Sequence, residues 1–375
     1  MVRIFLVVLL CLAGMTAFAA TLTVDGKTVN VPVVEVNGKA FVDIVALMKL
    51  LGGAATYNVA THKVSVSSTT AGSGGTAELA GENGVFGKVY SIRKESPLYF
   101  CLKRAEYTTA QVVLNDRLYT PNADEKLLVL HFSVQNPQKS GLFIRGDMAL
   151  GMTVVDAMNV NHNPVTGWAD EENRKAVSLT LKPAQKLDVY AVFAVPAKGP
   201  VPKLMVLPGD NNGPILRYDL HDKVTALPAP FADAADPTGA TALTTVPAKM
   251  NVVYPFETWS ASVDGFTTTT DAILEHKLDP GDKYMLVNMT VKNMNTFDIP
   301  LRYDTFAASL TSTDGEKLAY HSLLFASSYR EVGQKVPSGE VLHVRLYFTV
   351  PKGVTAKTLT LKQGDSRSYV IDVKE

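Results

Sequence analysis

Cysteine is nearly absent, with Cys11 and Cys101 the two in 375 residues. That excludes a disulfide framework and a cysteine-rich metal centre. Histidine is thin as well. The seven, at 62, 131, 162, 221, 276, 321 and 343, show no zinc-binding spacing. No excess of one charge exists either, since 36 Lys and Arg face 36 Asp and Glu. A balanced chain carries no electrostatic footprint for nucleic acid or anionic lipid. Apart from Ile4 to Leu12 there is no long apolar run, so no membrane span is expected. Gly-x-Ser-x-Gly elbows and phosphate-cradling glycine loops are missing. Asp264, Asp271, Asp279, Asp282 and Asp314 lack calcium-hand spacing. A non-enzymatic protein with no cofactor is the expectation.

What is present begins with an export signal. Arg3, the apolar run Ile4 to Leu12 and the small-x-small site Ala17-Phe18-Ala19 read as residues 1–19 of a signal peptide. Cleavage near Ala19 removes one cation and no acid, leaving 35 bases against 36 acids. Cys101 then stands alone and is expected as a small semi-buried hydrophobe. The expected location is extracytoplasmic, secreted or periplasmic.

The strongest internal pattern is a repeat at an offset of 157 positions. Lys126 to Asn136 (KLLVLHFSVQN) aligns with Lys283 to Asn293 (KYMLVNMTVKN), and Arg145-Gly146-Asp147 with Arg302-Tyr303-Asp304. Period-two alternation predicts strands, with Leu128, Leu130, Phe132 and Val134 inward, matched by Met285, Val287, Met289 and Val291. A second pair, ending Val195-Pro196 and Val350-Pro351, aligns at 155. No long helix is expected in either copy. Short strands between turn signals predict two antiparallel β-sandwiches, residues 85–224 and 249–375.

Residues 20–67 read differently. Asp25-Gly26 and Asn37-Gly38 predict hairpins, and Asp43 caps an expected helix carrying Ile44, Leu47, Met48 and Leu51. A last hairpin ends in Lys63 to Val66. Val24 to Gly26, Val36 to Val42, Leu51-Gly52, Tyr57 and Lys63 to Val66 resemble the copper amine oxidase N-terminal-like domain. That resemblance implies a stalk or adhesion-type α+β module and carries no oxidase centre. Residues 68–84 read as a flexible linker, and 225–248, rich in Pro, Ala and Thr, as a stiffer extended connector.

Each repeat resembles the telokin-like, immunoglobulin-like domain of unknown function of bacterial exported proteins. Lys283 to Asn293, the turn Pro337-Ser338-Gly339-Glu340 and the strand ending Phe348 to Pro351 carry the likeness. Pro183-Ala184-Gln185-Lys186 departs from that turn in the first copy. The fold class expected is mainly β: a small α+β module followed by two immunoglobulin-like sandwiches.

Candidate sites lie where the copies diverge. Arg145-Gly146-Asp147 matches an adhesion tripeptide, but Arg302 and Asp304 argue for a structural pair. Met148, Met152, Met158 and His162, with His131 one strand earlier and on the outward face of its strand, offer soft ligands for Cu(I). Methionine is also common core filler. Loop 157–176 holds Trp168 and the run Asp170 to Lys175. Loop 313–335 holds Tyr320, His321, Phe325, Tyr329 and Arg330. These aromatics either anchor a partner or cover the sandwich edge as extra strands. The expected function is an exported, envelope-associated binding module for a protein or cell-envelope component. The alternatives are a copper-handling protein, and a hydrolase or enzyme inhibitor acting through 313–335.

Overall fold

The computed structural model describes residues 81–93, 96–209, 215–274 and 277–373, together with the backbone of five strands between 17 and 67. Those five are β1 (Ala17–Val24), β2 (Lys27–Val36), β3 (Lys39–Val42), β4 (Ala54–Asn58) and β5 (Lys63–Ser67). β1, β2 and β3 form one antiparallel sheet, and β4 pairs β5. Val24 faces Lys27 and Val36 faces Lys39, the registers that two-residue hairpins leave. The expected helix after Asp43 and the signal run before residue 17 lie outside the described residues.

Residues 78–375 form a second compact unit. Its strands start with β6 (Gly81–Gly84), β7 (Tyr90–Ser91), β8 (Tyr99–Thr108), β9 (Val112–Leu114), β10 (Arg117–Tyr119) and β11 (Glu125–Gln135). β12 (Leu142–Arg145), β13 (Leu150–Val155), β14 (Asn161–His162), β15 (Ala169–Asp170) and β16 (Ser178–Leu181) follow. Next come β17 (Lys186–Pro196), β18 (Lys203–Pro208), β19 (Ile215–Asp219) and β20 (Val224–Thr225). One sheet runs β15-β17-β11-β8-β20, and the facing one β14-β13-β18-β19-β6. Leu128, Leu130, Phe132 and Val134 of β11 point into the core between them, as the alternation requires. The outer face of β11 is covered too. Leu127 and Val129 pack with Leu114 of the β9–β10 hairpin, Ala169, Tyr190 and Val192. β6 belongs to this sandwich, so residues 81–84, expected as part of a linker, are a strand.

The second sandwich uses β21 (Thr245–Ala248), β22 (Tyr254–Pro255), β23 (Trp259–Thr269), β24 (Lys283–Asn293), β25 (Ile299–Arg302) and β26 (Ala307–Ser312). β27 (Lys317–Phe325), β28 (Gly333–Val336), β29 (Val341–Val350), β30 (Ala356–Lys362) and β31 (Ser368–Asp372) complete it. Here β27 pairs with β26 at its start and with β29 beyond, bridging both sheets into the order β21-β31-β30-β26-β27-β29-β24-β23-β22. Met285, Val287, Met289 and Val291 fill the core. Tyr284 and Leu286 form the outer cluster with Ile273, Leu324 and Tyr347.

One buried amide anchors each sandwich. Asn136 Nδ2 donates to the carbonyls of Ser140, Leu181 and Lys182 at 2.8, 2.9 and 3.2 Å. Asn293 Nδ2 donates to those of Phe297, Val336 and Pro337 at 3.0, 2.9 and 3.1 Å. The departing turn at Pro183 keeps the same backbone. Ala184 N donates to Asn136 O as Gly339 N does to Asn293 O, and both residues take a positive φ, 61° and 75°.

The stretch 225–248 is not an extended connector. Leu227, Ala240 and Ala242 bury in the first core and Val246 in the second, while Phe231 and Leu243 pack against the second. Enough of its apolar side chains find a core to fold the segment against both sandwiches. Beside it, Arg367 of the second sandwich is 2% exposed. Its guanidinium donates to the carbonyls of Leu243, Asn122 and Glu125. Gln111 Nε2 reaches the other way, to Phe256 O at 2.7 Å and Trp259 O at 2.9 Å. Among the described residues no helix is long and apolar enough to cross a membrane.

Candidate functional site

The expected methionine set does not converge. Met152 is buried in the first core, whereas Met148 and Met158 are exposed. His162 Nε2 lies 3.0 Å from Asp156 Oδ2, whose other oxygen accepts the amides of Met158 and Val160. His162, on β14, therefore braces the turn that Asp156 opens. The tripeptide forms the structural pair expected in the first copy: Arg145 Nε and one terminal nitrogen donate to the two Asp147 oxygens at 2.7 Å. Gly146 is needed because a Cβ there would meet Trp168 O at 2.9 Å.

The aromatics of the two divergent loops are not displayed together. Trp168 is 1% exposed and packs edge-on against Phe132, with ring centroids 5.3 Å apart. Tyr320 donates to Tyr303 O and rests on Phe348. Burial raises its phenol above the ordinary range. Phe325 packs against the second core. Tyr329 and Arg330 alone lie exposed. These loops supply strands: β15 at the edge of a sheet in the first sandwich, and β27 between β26 and β29 in the second.

What the structure brings together instead is a groove of about 620 Å³ on the outer face of the first sandwich. Its floor comes from three adjacent strands. Arg104 and Glu106 stand on β8, His131 on β11 and Tyr190 on β17, with His131 registered against both Arg104 and Tyr190. Glu171 and Arg174 enter from the loop after β15, and Thr225, Ala226 and Pro228 form the opposite lip. His131 faces outward as its strand phase requires, yet it is only 8% exposed. Its Nε2 lies 3.0 Å from Glu106 Oε1, and its Nδ1 contacts Glu171 Oε1 and lies 3.1 Å from an Arg104 nitrogen. Arg104 also donates to Glu106 Oε2 at 2.6 Å. The imidazole stacks on Tyr190, whose hydroxyl donates to Val113 O at 2.7 Å. Burial raises the Tyr190 phenol above its usual range.

Sequence reasoning named His131 only as an outlying partner of the methionines. The signal that finds the rest is register. Period-two spacing puts Arg104 and Glu106 on one face of β8, but a bulge at Lys103 shifts them opposite His131. No linear motif joins Glu171, 40 residues from His131, to the cluster. Among the described residues no group of His, Cys, Asp and Glu is arranged to hold a metal ion. Glu106 and Glu171 sit on opposite edges of the imidazole ring and do not converge.

The described residues from 81 to 373 are thus a pair of β-sandwiches, one of which carries a polar groove. Residues 256–370 match the family described as Domain of unknown function (DUF4352). This span covers most of the second sandwich. No curated protein matches the chain. Among solved structures, an uncharacterized beta-sandwich protein from Clostridium difficile 630 is similar at 13% identity and a TM-score of 0.31, over 40% of this chain and 99% of that one. The copper amine oxidase-like and telokin-like resemblances are carried by none of these matches.

Proposed function

We propose that this chain is an exported, non-enzymatic binding protein whose ligand-facing surface is the groove around His131. One observation carries the reading. At structurally equivalent positions the second sandwich replaces His131, Arg104, Glu106 and Glu171 by Asn288, Gly265, Thr267 and Ala326. The clamping asparagine, by contrast, is kept in both. Residues that hold the fold are shared, whereas the ionisable cluster belongs to one sandwich and lines its groove. The groove holds imidazole and carboxylates, but no serine, cysteine or lysine lines it as an activated nucleophile. Its volume suits a small ligand. The export signal at residues 1–19, together with the copper amine oxidase-like and telokin-like resemblances, supports an extracytoplasmic setting with the second sandwich as support.

The test is to recover ligands from an envelope extract on the full mature chain and on a His131→Asn, Glu171→Ala double variant. Material retained by the first and released by the second supports the reading. Turnover of any substrate that vanishes in the double variant would sink it. N-terminal sequencing of chain recovered outside the cytoplasm should begin near Ala20. A cytoplasmic pool with an intact N-terminus rules out export.

A further inference from the structure

The charges inside the groove are not equally satisfied. Glu106 is answered by Arg104 and His131, and Glu171 by His131. Asp170, the neighbour of Glu171 in the chain, spends one carboxylate oxygen on the amides of Glu172 and Asn173. Arg174 is different. Its guanidinium makes no hydrogen bond or ion pair to a described residue, and its charge acts on the phenol of Tyr190.

The backbone nevertheless holds Arg174 with care. It adopts a φ of 61°, a conformation that residues other than glycine, asparagine and aspartate seldom take. Its amide donates to Asp170 O at 2.9 Å, and its carbonyl accepts from Asn115 N at 3.0 Å. Asn115 is the first residue of the β9–β10 turn. The second sandwich grips the next one, through Thr296 Oγ1 donating to Asp116 O at 2.8 Å. A backbone outlier secured from both sides, presenting an unused cation into a groove, points to a ligand. Val112, Val113 and Tyr190, with Pro228 on the opposite lip, supply apolar lining to the groove.

We infer that the groove takes a small organic carboxylate with an apolar body, its carboxylate received by Arg174. The inference rests on the binding role proposed above. A guanidinium pairs a carboxylate with two parallel N–H donors, which makes it selective for that group over a neutral amide. Glu106 and Glu171, held by internal partners, disfavour a second anionic group deeper in the groove.

The experiment titrates the whole mature chain with N-acetyl-leucine, N-acetyl-leucinamide and leucinamide. These share one apolar body and differ in charge. Binding is followed by calorimetry and by NMR shifts at His131 and Tyr190. N-acetyl-leucine should bind at least about tenfold tighter than its amide. Arg174→Gln should erase that margin while leaving the unfolding midpoint unchanged, because the guanidinium makes no hydrogen bond or ion pair to a described residue. Arg145→Gln, an exposed arginine far along the chain, should leave the margin intact. If the amide or the cation shifts His131 and Tyr190 with equal affinity, the carboxylate assignment falls and the groove remains a binding site. A margin that survives Arg174→Gln overturns the role of Arg174. Should none of the three probes move His131 or Tyr190, both the assignment and the groove reading are overturned.

Discussion

Set side by side, the two sandwiches share their clamps and part at their outer faces. Asn136 and Asn293 bind equivalent carbonyls, and each sandwich bulges at the same register, at Lys103 in one and Asp264 in the other. Beside the bulges the chemistry inverts. Lys103 pairs with Asp188 across β11, whereas Asp264 accepts from Thr290, which in turn contacts His343. One register further, a histidine held between carboxylates in the first sandwich corresponds to a neutral amide in the second. Asn288 accepts from Arg345 where His131 stacks on Tyr190. Backbone pairing tolerates any polar side chain on an outward position, so these positions can diverge without cost to the ladder.

The largest expected effect tests how far the divergent loops belong to the cores. Trp168 and Leu323 occupy equivalent places. Trp168→Ala should cost about 3–5 kcal/mol and Leu323→Ala about 2–5 kcal/mol, read by urea unfolding. A loss below about 1 kcal/mol at Trp168 would mean that 157–176 is a detachable loop. The next effect concerns the joint. Arg367→Ala orphans three carbonyls and should cost about 3 kcal/mol. It should also split one calorimetric transition into two. A single transition retained in the variant would show that other contacts suffice to couple the sandwiches.

Proton linkage separates two equivalent lysines. Lys126 is buried, donates to Ala197 O and Gly199 O and lies over the Tyr107 ring. Desolvation lowers its pKa to about 8. The unfolded chain then binds more protons between pH 8 and the ordinary lysine value, so stability should rise with pH across that window. Below pH 8 both states are protonated and the penalty is constant. The slope, at most about 1.4 kcal/mol per pH unit, should vanish in Lys126→Met and persist in Lys283→Met. Tyr107, raised to about 12 chiefly by desolvation, opposes it only where phenols titrate. Equal slopes in the two variants would place the linkage elsewhere.

The smaller effects concern the clamps and their turns. Asn136→Ala and Asn293→Ala should each cost about 1–3 kcal/mol, alike within error, because each strips donors from three carbonyls. A large inequality would break the equivalence of the sandwiches. Finally, Ala184→Gly should stabilise by about 0.5–1 kcal/mol and Gly339→Ala should destabilise by a similar amount, since both sit at positive φ.

How much of this was legible beforehand differs by element. Leu128 to Val134 and Met285 to Val291 announced their inward faces through alternation, because side chains in a strand must alternate. The hairpin registers around Asp25-Gly26 and Asn37-Gly38 followed from turn chemistry. Trp168 and the methionines misled, because a one-dimensional stretch does not show whether a loop returns to the core. Pro228 to Pro247 read as a spacer by composition, and only burial of Leu227, Phe231 and Val246 shows it folded.

By itself the amino-acid sequence determined the local terms: strand phase, turn positions, charge balance and the absence of cysteine scaffolding. These depend on neighbours a few residues apart. The groove was decided by the tertiary structure alone. Glu106, His131 and the Glu171–Arg174 turn come from three separate segments and meet through cross-strand register, a bulge and a clamped turn. Such meetings depend on long-range pairing, which no local pattern in the chain encodes.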